Sequence, residues 1–279
     1  MKNKILTLSK SLIFVFSLFS SLSFAEDNSK TIQTSRQADQ WYFSWGWNSA
    51  NYSNSDIHFK GDDHDFTLYN VQASDRQTPT TGGGWYDSYL NPGRITIPQT
   101  NLRIGYFITK DFSVEFVVDH MKYVMDANQK VKIDNNISNP NIDNRIVNGE
   151  IVLSEDFLQF EHTDGLNYIG IEANYYQSFW QPNKNVDVSW LVGGGIAVLY
   201  PKSNVTLLDR ERNDDFYVSG NGYNVKGGIE ISFYENFFFR TMIKVGHIDM
   251  PKVVTSSVGD RASQKFDFTE YYGMFGYRF

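Results

Sequence analysis

Strict two-residue alternation over unusually long stretches constrains this chain more than any other feature. The last fourteen residues, Phe266 to Phe279, read FDFTEYYGMFGYRF. Counting back from Phe279, every second residue is Tyr277, Phe275, Gly273 and Tyr271. The opposite set is Arg278, Gly276, Met274, Tyr272 and Glu270. Such a period makes a long strand with one aromatic face and one mixed, polar face. Trp41 to Ala50 repeats the pattern, with Trp41, Phe43, Trp45 and Trp47 against Tyr42, Ser44, Gly46 and Asn48. Bulky aromatics on one side and small polar residues on the other reverse the habit of a strand packed on a soluble core. In a narrow barrel, Gly and Ser fit the crowded inside and aromatics face lipid.

The same period predicts six strands between these two: Asn101–Ile108, Phe112–Met125, Leu166–Phe179, Val186 to about Val205, Phe216–Phe233 and Phe237 to about Met250. Their connections alternate between short turns, such as Thr109-Lys110-Asp111 and Tyr234-Glu235-Asn236, and longer polar segments. The expected fold is therefore all-β: an antiparallel up-and-down transmembrane β-barrel of eight strands, with the first paired to the last and the long loops at one end. Ile57–Lys60 and Phe66–Val71 would raise the count to ten if they spanned. Each is shorter than the ~9–11 residues a tilted spanning strand needs, so they read as a hairpin outside the membrane. Long extracellular loops are expected at about 51–98 and 126–163. The second of these carries possible strand pieces at Lys130–Ile133 and Arg145–Leu153.

The N-terminus has the form of a secretory signal peptide over residues 1–25. Lys2, Lys4 and Lys10 precede the apolar run Ser11–Phe19, and Ser23-Phe24-Ala25 makes the cleavage site. Residues 26–39 are polar and aperiodic and read as a periplasmic tail; 40–279 is the barrel. Both termini are expected in the periplasm, with the barrel in the outer membrane of a Gram-negative cell envelope. No apolar run reaches the ~20 residues of a spanning helix. Mean hydropathy is −0.41 while aromatic content is 16%, which suits strands that need only alternate residues apolar. Losing residues 1–25 removes three lysines and no acids, so the net charge of −7 becomes more negative still. That argues against nucleic acid as a partner. With no cysteine, disulfides and thiol chemistry are excluded.

The inward parity collects Arg103, Glu115, Asp119, Glu172, Asp187, Lys226, Glu230, Arg240, Lys244, Glu270 and Arg278. An eight-stranded barrel leaves room only for side chains, and enclosed charges must pair. The reading is a lumen ion-pair network; a gate or narrow polar conduit is its sharper alternative. Catalytic candidates are weak. His120 and His162 stand at the outer ends of strands, and Asp119 lies beside His120 with the opposite parity. Asp62-Asp63-His64-Asp65 offers oxygen and nitrogen donors but lacks the spacing of a Ca²⁺ loop, so no metal and no cofactor is assigned.

The terminal Phe279, with Tyr271, Phe275 and Tyr277 alternating before it, resembles the C-terminal assembly signal of bacterial outer-membrane β-barrels. The chain as a whole resembles the small, eight-stranded, OmpA/OmpW-like porin-like barrels. The resemblance implies contact with outer-membrane lipids and lipopolysaccharide and with the barrel-assembly machinery. It does not identify a partner for the extracellular loops. It implies a non-enzymatic membrane protein that displays large loops, for surface interaction, envelope integrity or small-solute passage. Two alternatives follow from relatives of that kind. One is a lipid-modifying hydrolase or acyltransferase with a rim site, the other a channel for hydrophobic small solutes.

Overall fold

The computed structural model describes residues 35–80, 82–94, 98–134, 140–208 and 210–279. The expected signal peptide and the tail as far as residue 34 lie outside these. Among the described residues the strands are β1 (Gln40–Tyr52), β2 (Ser55–Lys60), β3 (Asp65–Val71), β4 (Ala73–Asp75), β5 (Thr100–Thr109), β6 (Phe112–Met125), β7 (Lys130–Ile133) and β8 (Glu150–Val152). They continue as β9 (Leu158–Asn183), β10 (Val186–Leu199), β11 (Lys202–Leu207), β12 (Asn213–Phe216), β13 (Gly220–Phe233), β14 (Phe237–Val254) and β15 (Arg261–Arg278).

Eight of them close a ring in the order β1-β5-β6-β9-β10-β13-β14-β15, and β15 returns to β1. Every pairing in it is antiparallel. The closing seam runs from Tyr42↔Arg278 to Tyr52↔Phe268. Its end is fastened by reciprocal backbone bonds, Trp41 N–H to Phe279 O at 3.0 Å and Phe279 N–H to Trp41 O at 2.9 Å. The first-to-last pairing expected from the alternation is thus present. Closure leaves no edge strand in this ring, the condition for backbone placed in lipid.

The outer wall is apolar over a limited height. Trp41, Phe43, Ile104, Phe116, Ile171, Ile196, Ile229, Ile243, Tyr271 and Phe275 are all exposed there. We take as membrane-spanning the segments Trp41–Trp47, Leu102–Ile108, Phe112–Val118, Ile169–Phe179, Trp190–Val198, Tyr223–Phe233, Phe237–Val245 and Tyr271–Phe279. The run Phe237–Val245 rises roughly 20–25 Å at the usual strand rise and tilt, matching the apolar band of such barrels.

Above that band the wall continues as an extension at the long-loop end. β2 takes over from β1 against β15, with Arg261↔Lys60 through Gln264↔Ile57. β3, β7 and β8 follow in sequence from β2. β4 pairs with the upper end of β6. The fifth strand stops at Leu199, short of the expected Val205. Pro201 cannot donate to a ladder; beyond it the chain restarts as β11, which leaves β13 and pairs with β9, Asn204↔Glu161. β9 in turn begins at Leu158, well before the expected Leu166. The sixth ring strand begins at Gly220, because Phe216 belongs to β12 on the β11 hairpin.

Candidate functional site

The interior holds two different fillings. At the level of the membrane-spanning strands it is a network of ion pairs, flanked by a smaller apolar cluster of Tyr42, Phe107, Tyr176, Leu191, Phe238, Met242, Tyr272 and Met274. Glu230 on β13 receives Arg240 of β14 at 2.8 Å and Arg278 of β15 at 2.5 Å. Glu115 of β6 meets Arg240 at 3.3 Å and Arg103 at 3.6 Å, and it also takes Lys226. Lys226 bridges on to Glu172 of β9. Lys244 pairs with Asp119, with Glu172 at 2.7 Å and with Glu270 at 3.7 Å. Arg103 closes the circuit on Asp119 at 2.5 Å. All of these side chains are buried.

Neutral groups add to the coordination, while Arg103 Nε and Nη2, Arg278 Nε, Asp187 Oδ1 and Glu270 Oε2 are buried without a hydrogen-bond partner among the described residues. Tyr42 donates its hydroxyl to Glu115 at 2.6 Å. Arg240 donates to the Tyr176 hydroxyl at 2.9 Å. The Asn101 amide is shared between Asp119 at 2.5 Å and Glu270 at 2.7 Å. Guanidinium planes also lie over rings, Arg278 at 4.5 Å from the Phe238 centroid and Arg103 at 5.2 Å from Tyr272. Charge-assisted bonds of this sort are the strong ones, and a buried ion depends on them.

The structure places all eleven charges of the inward parity on the inside. A twelfth comes from outside the alternation. Arg36, in the segment before β1, turns into the mouth at the short-turn end and is 1% exposed. Its guanidinium donates to Ser189 Oγ at 2.7 Å and Ser178 Oγ at 2.9 Å, and meets Glu230 at 3.3 Å and Asp187 at 3.4 Å. The lumen then holds six cations and six carboxylates among the described residues. Residues 26–39 read as a periplasmic tail because they have no period, and alternation assigns Arg36 no side. The hint available was compositional: one inward acid more than the inward bases could match.

Above the ionic layer the filling is apolar. Ile57, Phe59, Phe66 and Leu68 from β2 and β3 pack with Met121 and Tyr123 of β6. Phe160, Leu199, Met250, Phe266 and Phe268 belong to the same cluster. This cap core lies directly over the charges and is continuous with the barrel interior. Phe59 stacks on Phe66 at 5.3 Å, and Tyr123 meets Phe266 at 5.0 Å.

Asp119, His120 and His162 occupy three separate environments. Asp119 belongs to the ionic lumen. His120 lies on the outer side, its Nδ1 2.9 Å from Asn167 Oδ1. His162 is sealed in the cap core, with Nδ1 at 2.9 Å from Ser203 Oγ and Nε2 at 3.2 Å from the Gln264 amide. Burial among Tyr123 and Phe160 pushes its pKa down to about 3. It is a neutral imidazole with a serine and an amide as partners, where a triad base would need a carboxylate to orient it.

Of the Asp62–Asp65 run, Asp63 pairs with Arg210 and with His64, and Asp65 with His58 at 2.7 Å and Lys60 at 2.9 Å. Among the described residues no three His, Asp or Glu side chains gather as a metal set. A cleft of about 230 Å³ opens beside Arg76, Met125, Leu158 and Glu161, below the usual range for small-molecule pockets. Tyr271, Phe275, Tyr277 and Phe279 are exposed on the outer face of the terminal strand.

No protein-family profile matches this chain. It is 28% identical over 151 residues, 46% of its length, to the non-toxic nonhemagglutinin of Paraclostridium bifermentans, and it spans 13% of that protein. Among solved structures it is similar to the outer membrane protein OprG from Pseudomonas aeruginosa, at 11% identity, covering 88% of this chain and 99% of that one, TM-score 0.45. Neisserial surface protein A is similar at 12% identity, covering 86% and 97%, TM-score 0.37. The outer membrane protease OmpT from Escherichia coli is similar at 10% identity, covering 90% and 100%, TM-score 0.33. Ring closure stands on the strand pairing itself, and the lipid-facing surface on the exposed apolar band. The chain is an eight-stranded antiparallel β-barrel with an apolar band around its outer wall.

Proposed function

We propose that this protein is a non-enzymatic outer-membrane barrel that holds a folded cap outside the cell for surface interaction, and that it passes no solute. The filled interior carries this reading. Paired charges occupy the lumen through its membrane height, and the apolar cap core sits on top of them. A water-filled conduit has no space between these two fillings. In this reading residues 1–25 are removed on export. Both termini then lie in the periplasm, and Tyr271, Phe275, Tyr277 and Phe279 serve the barrel-assembly machinery.

Because the chain has no cysteine, single thiols report topology cleanly. Val258→Cys, at the cap end of the β14–β15 connection, should react with a membrane-impermeant maleimide on intact cells. Asn185→Cys, in the β9–β10 turn, should react only after the outer membrane is permeabilised. Purified protein in a planar bilayer should give no conductance steps. Steps of defined size would replace display with passage, and the reverse labelling pattern would turn the barrel over.

A further inference from the structure

The connection from β4 to β5 carries an exposed aromatic face. The short helix Gly84–Tyr89 and Leu90 expose Trp85 at 56%, Tyr86 at 64% and Leu90 at 38%. These are large apolar groups for a loop in water. The segment does not stand up into solvent. Trp85 packs on Trp47 of β1 with centroids 5.9 Å apart, and Trp47 packs on Trp45 at 4.7 Å. Trp45 and Trp47 belong to the outward, lipid-facing column of β1. Tyr89 stacks behind Trp85 at 5.9 Å.

The carboxylate and the Tyr89 hydroxyl of the segment are paired within the same connection. Asp87 takes Arg94 at 3.0 Å and the Asn91 amide at 2.9 Å. Tyr89 donates its hydroxyl to Thr78 O at 2.5 Å, and Lys122 donates to Thr78 Oγ1 at 3.1 Å. The segment thus presents aromatics and a leucine on one side, continues the apolar band, and keeps its charges paired. Trp and Tyr in this arrangement favour the boundary between headgroups and acyl chains.

We propose that Gly84–Leu90 is a membrane-surface paddle whose occupant is outer-leaflet lipid, seated on Trp85, Tyr86 and Leu90 beside Trp45 and Trp47. It goes beyond surface display, because it assigns a lipid contact to a segment outside the spanning strands. It rests on the barrel's placement in a bilayer, which a separate control reads.

The test is site-directed spin labelling of the full chain refolded into phosphatidylcholine vesicles at low protein density. Three single thiols are compared: Tyr86→Cys, Ile243→Cys on the lipid-facing wall, and Val258→Cys at the cap tip. The label at position 86 should resemble the one at 243, accessible to oxygen and shielded from a water-soluble nickel chelate. The label at 258 should show the opposite. If position 86 matches 258 while 243 remains lipid-exposed, the paddle is overturned and the barrel reading stands. If 243 is also aqueous, the membrane placement itself fails. Shielding at 86 that appears only at high protein density makes a second copy the occupant and overturns the proposal. Should Tyr86→Cys not fold, brominated lipid replaces the label. Wild type should lose more Trp emission to the quencher than Trp85→Phe does, and equal quenching counts against the paddle.

Discussion

Two halves of one strand have opposite faces. Along the lower part of β15, Glu270 and Arg278 point inward with Tyr272 and Met274 between them, and Tyr271, Phe275 and Tyr277 point outward. Along its upper part, Ala262, Phe266 and Phe268 point inward, and Arg261, Lys265 and Asp267 outward. The inversion falls between Phe268 and Glu270 and needs no bulge, since the pairing with β14 is continuous from Tyr277 to Gln264. The wall is the same; the solvent outside it changes. Where lipid bathes the exterior, the polar groups go inside and neutralise one another. Where water bathes it, the apolar groups go inside and the upper barrel is built like a soluble β protein. Ion pairing with a small apolar cluster beside it therefore holds the lower interior, and hydrophobic burial dominates the upper one.

This contrast can be broken, most forcefully from below. Glu230→Ala would leave Arg36, Arg240 and Arg278 facing one another without their shared carboxylate. The expected loss is about 3–5 kcal/mol, read as a lower urea midpoint for the refolded barrel, with a smaller loss for Glu230→Gln. An unchanged midpoint for the alanine variant would mean the pairs do not hold the lumen. In the cap, Ile57→Ala should cost about 3 kcal/mol by opening a cavity. It should speed proteolysis and hydrogen exchange in β2 and β3 while the heat-resistant gel mobility of the barrel persists. Loss of both together would show that the two fillings stabilise one unit.

The smallest expected effect, counted per pH unit, is a slope in the stability of the cap. His162 is held neutral down to about 3, whereas an unfolded histidine takes its proton near 6.5. Below ~6.5 the unfolded state binds a proton that the folded cap refuses. Cap stability should fall by about 1.4 kcal/mol per pH unit, down to about pH 3. Hydrogen exchange of β2, β3 and the start of β9 at pH 7, 5.5 and 4 reads this slope. His162→Gln should flatten the part due to the imidazole; equal slopes in both proteins would remove the buried histidine from the account.

Alternation made the ring legible because lipid imposes it on long strands. Phe112–Met125 and Phe237–Met250 carry enough repeats to fix both type and parity. It could not show the cap's pairing. Ile57–Lys60 and Phe66–Val71 alternate over too few residues to reveal that the first joins β15 and the second carries the sheet on to β7. Ser203 and Gln264 meet His162 from strands 41 and 102 residues away, through a register that no local pattern contains. The ionic pairs have the same limit: alternation assigns Lys244 a side of the wall, while its contact with Asp119 lies 125 residues back along the chain. Arg36 had no alternation to be read from.

The length of β9 sets how far the molecule reaches. Its 26 residues, Leu158–Asn183, extend about 85 Å along the strand and climb roughly 65 Å at the usual barrel tilt. The hydrocarbon layer takes up about 25–30 Å of that climb. Much of the remainder stands clear of the bilayer as unbroken strand, beside the equally continuous β14 and β15. Anything that grips the cap pulls on the spanning wall through covalent backbone, with no linker between them to absorb the load.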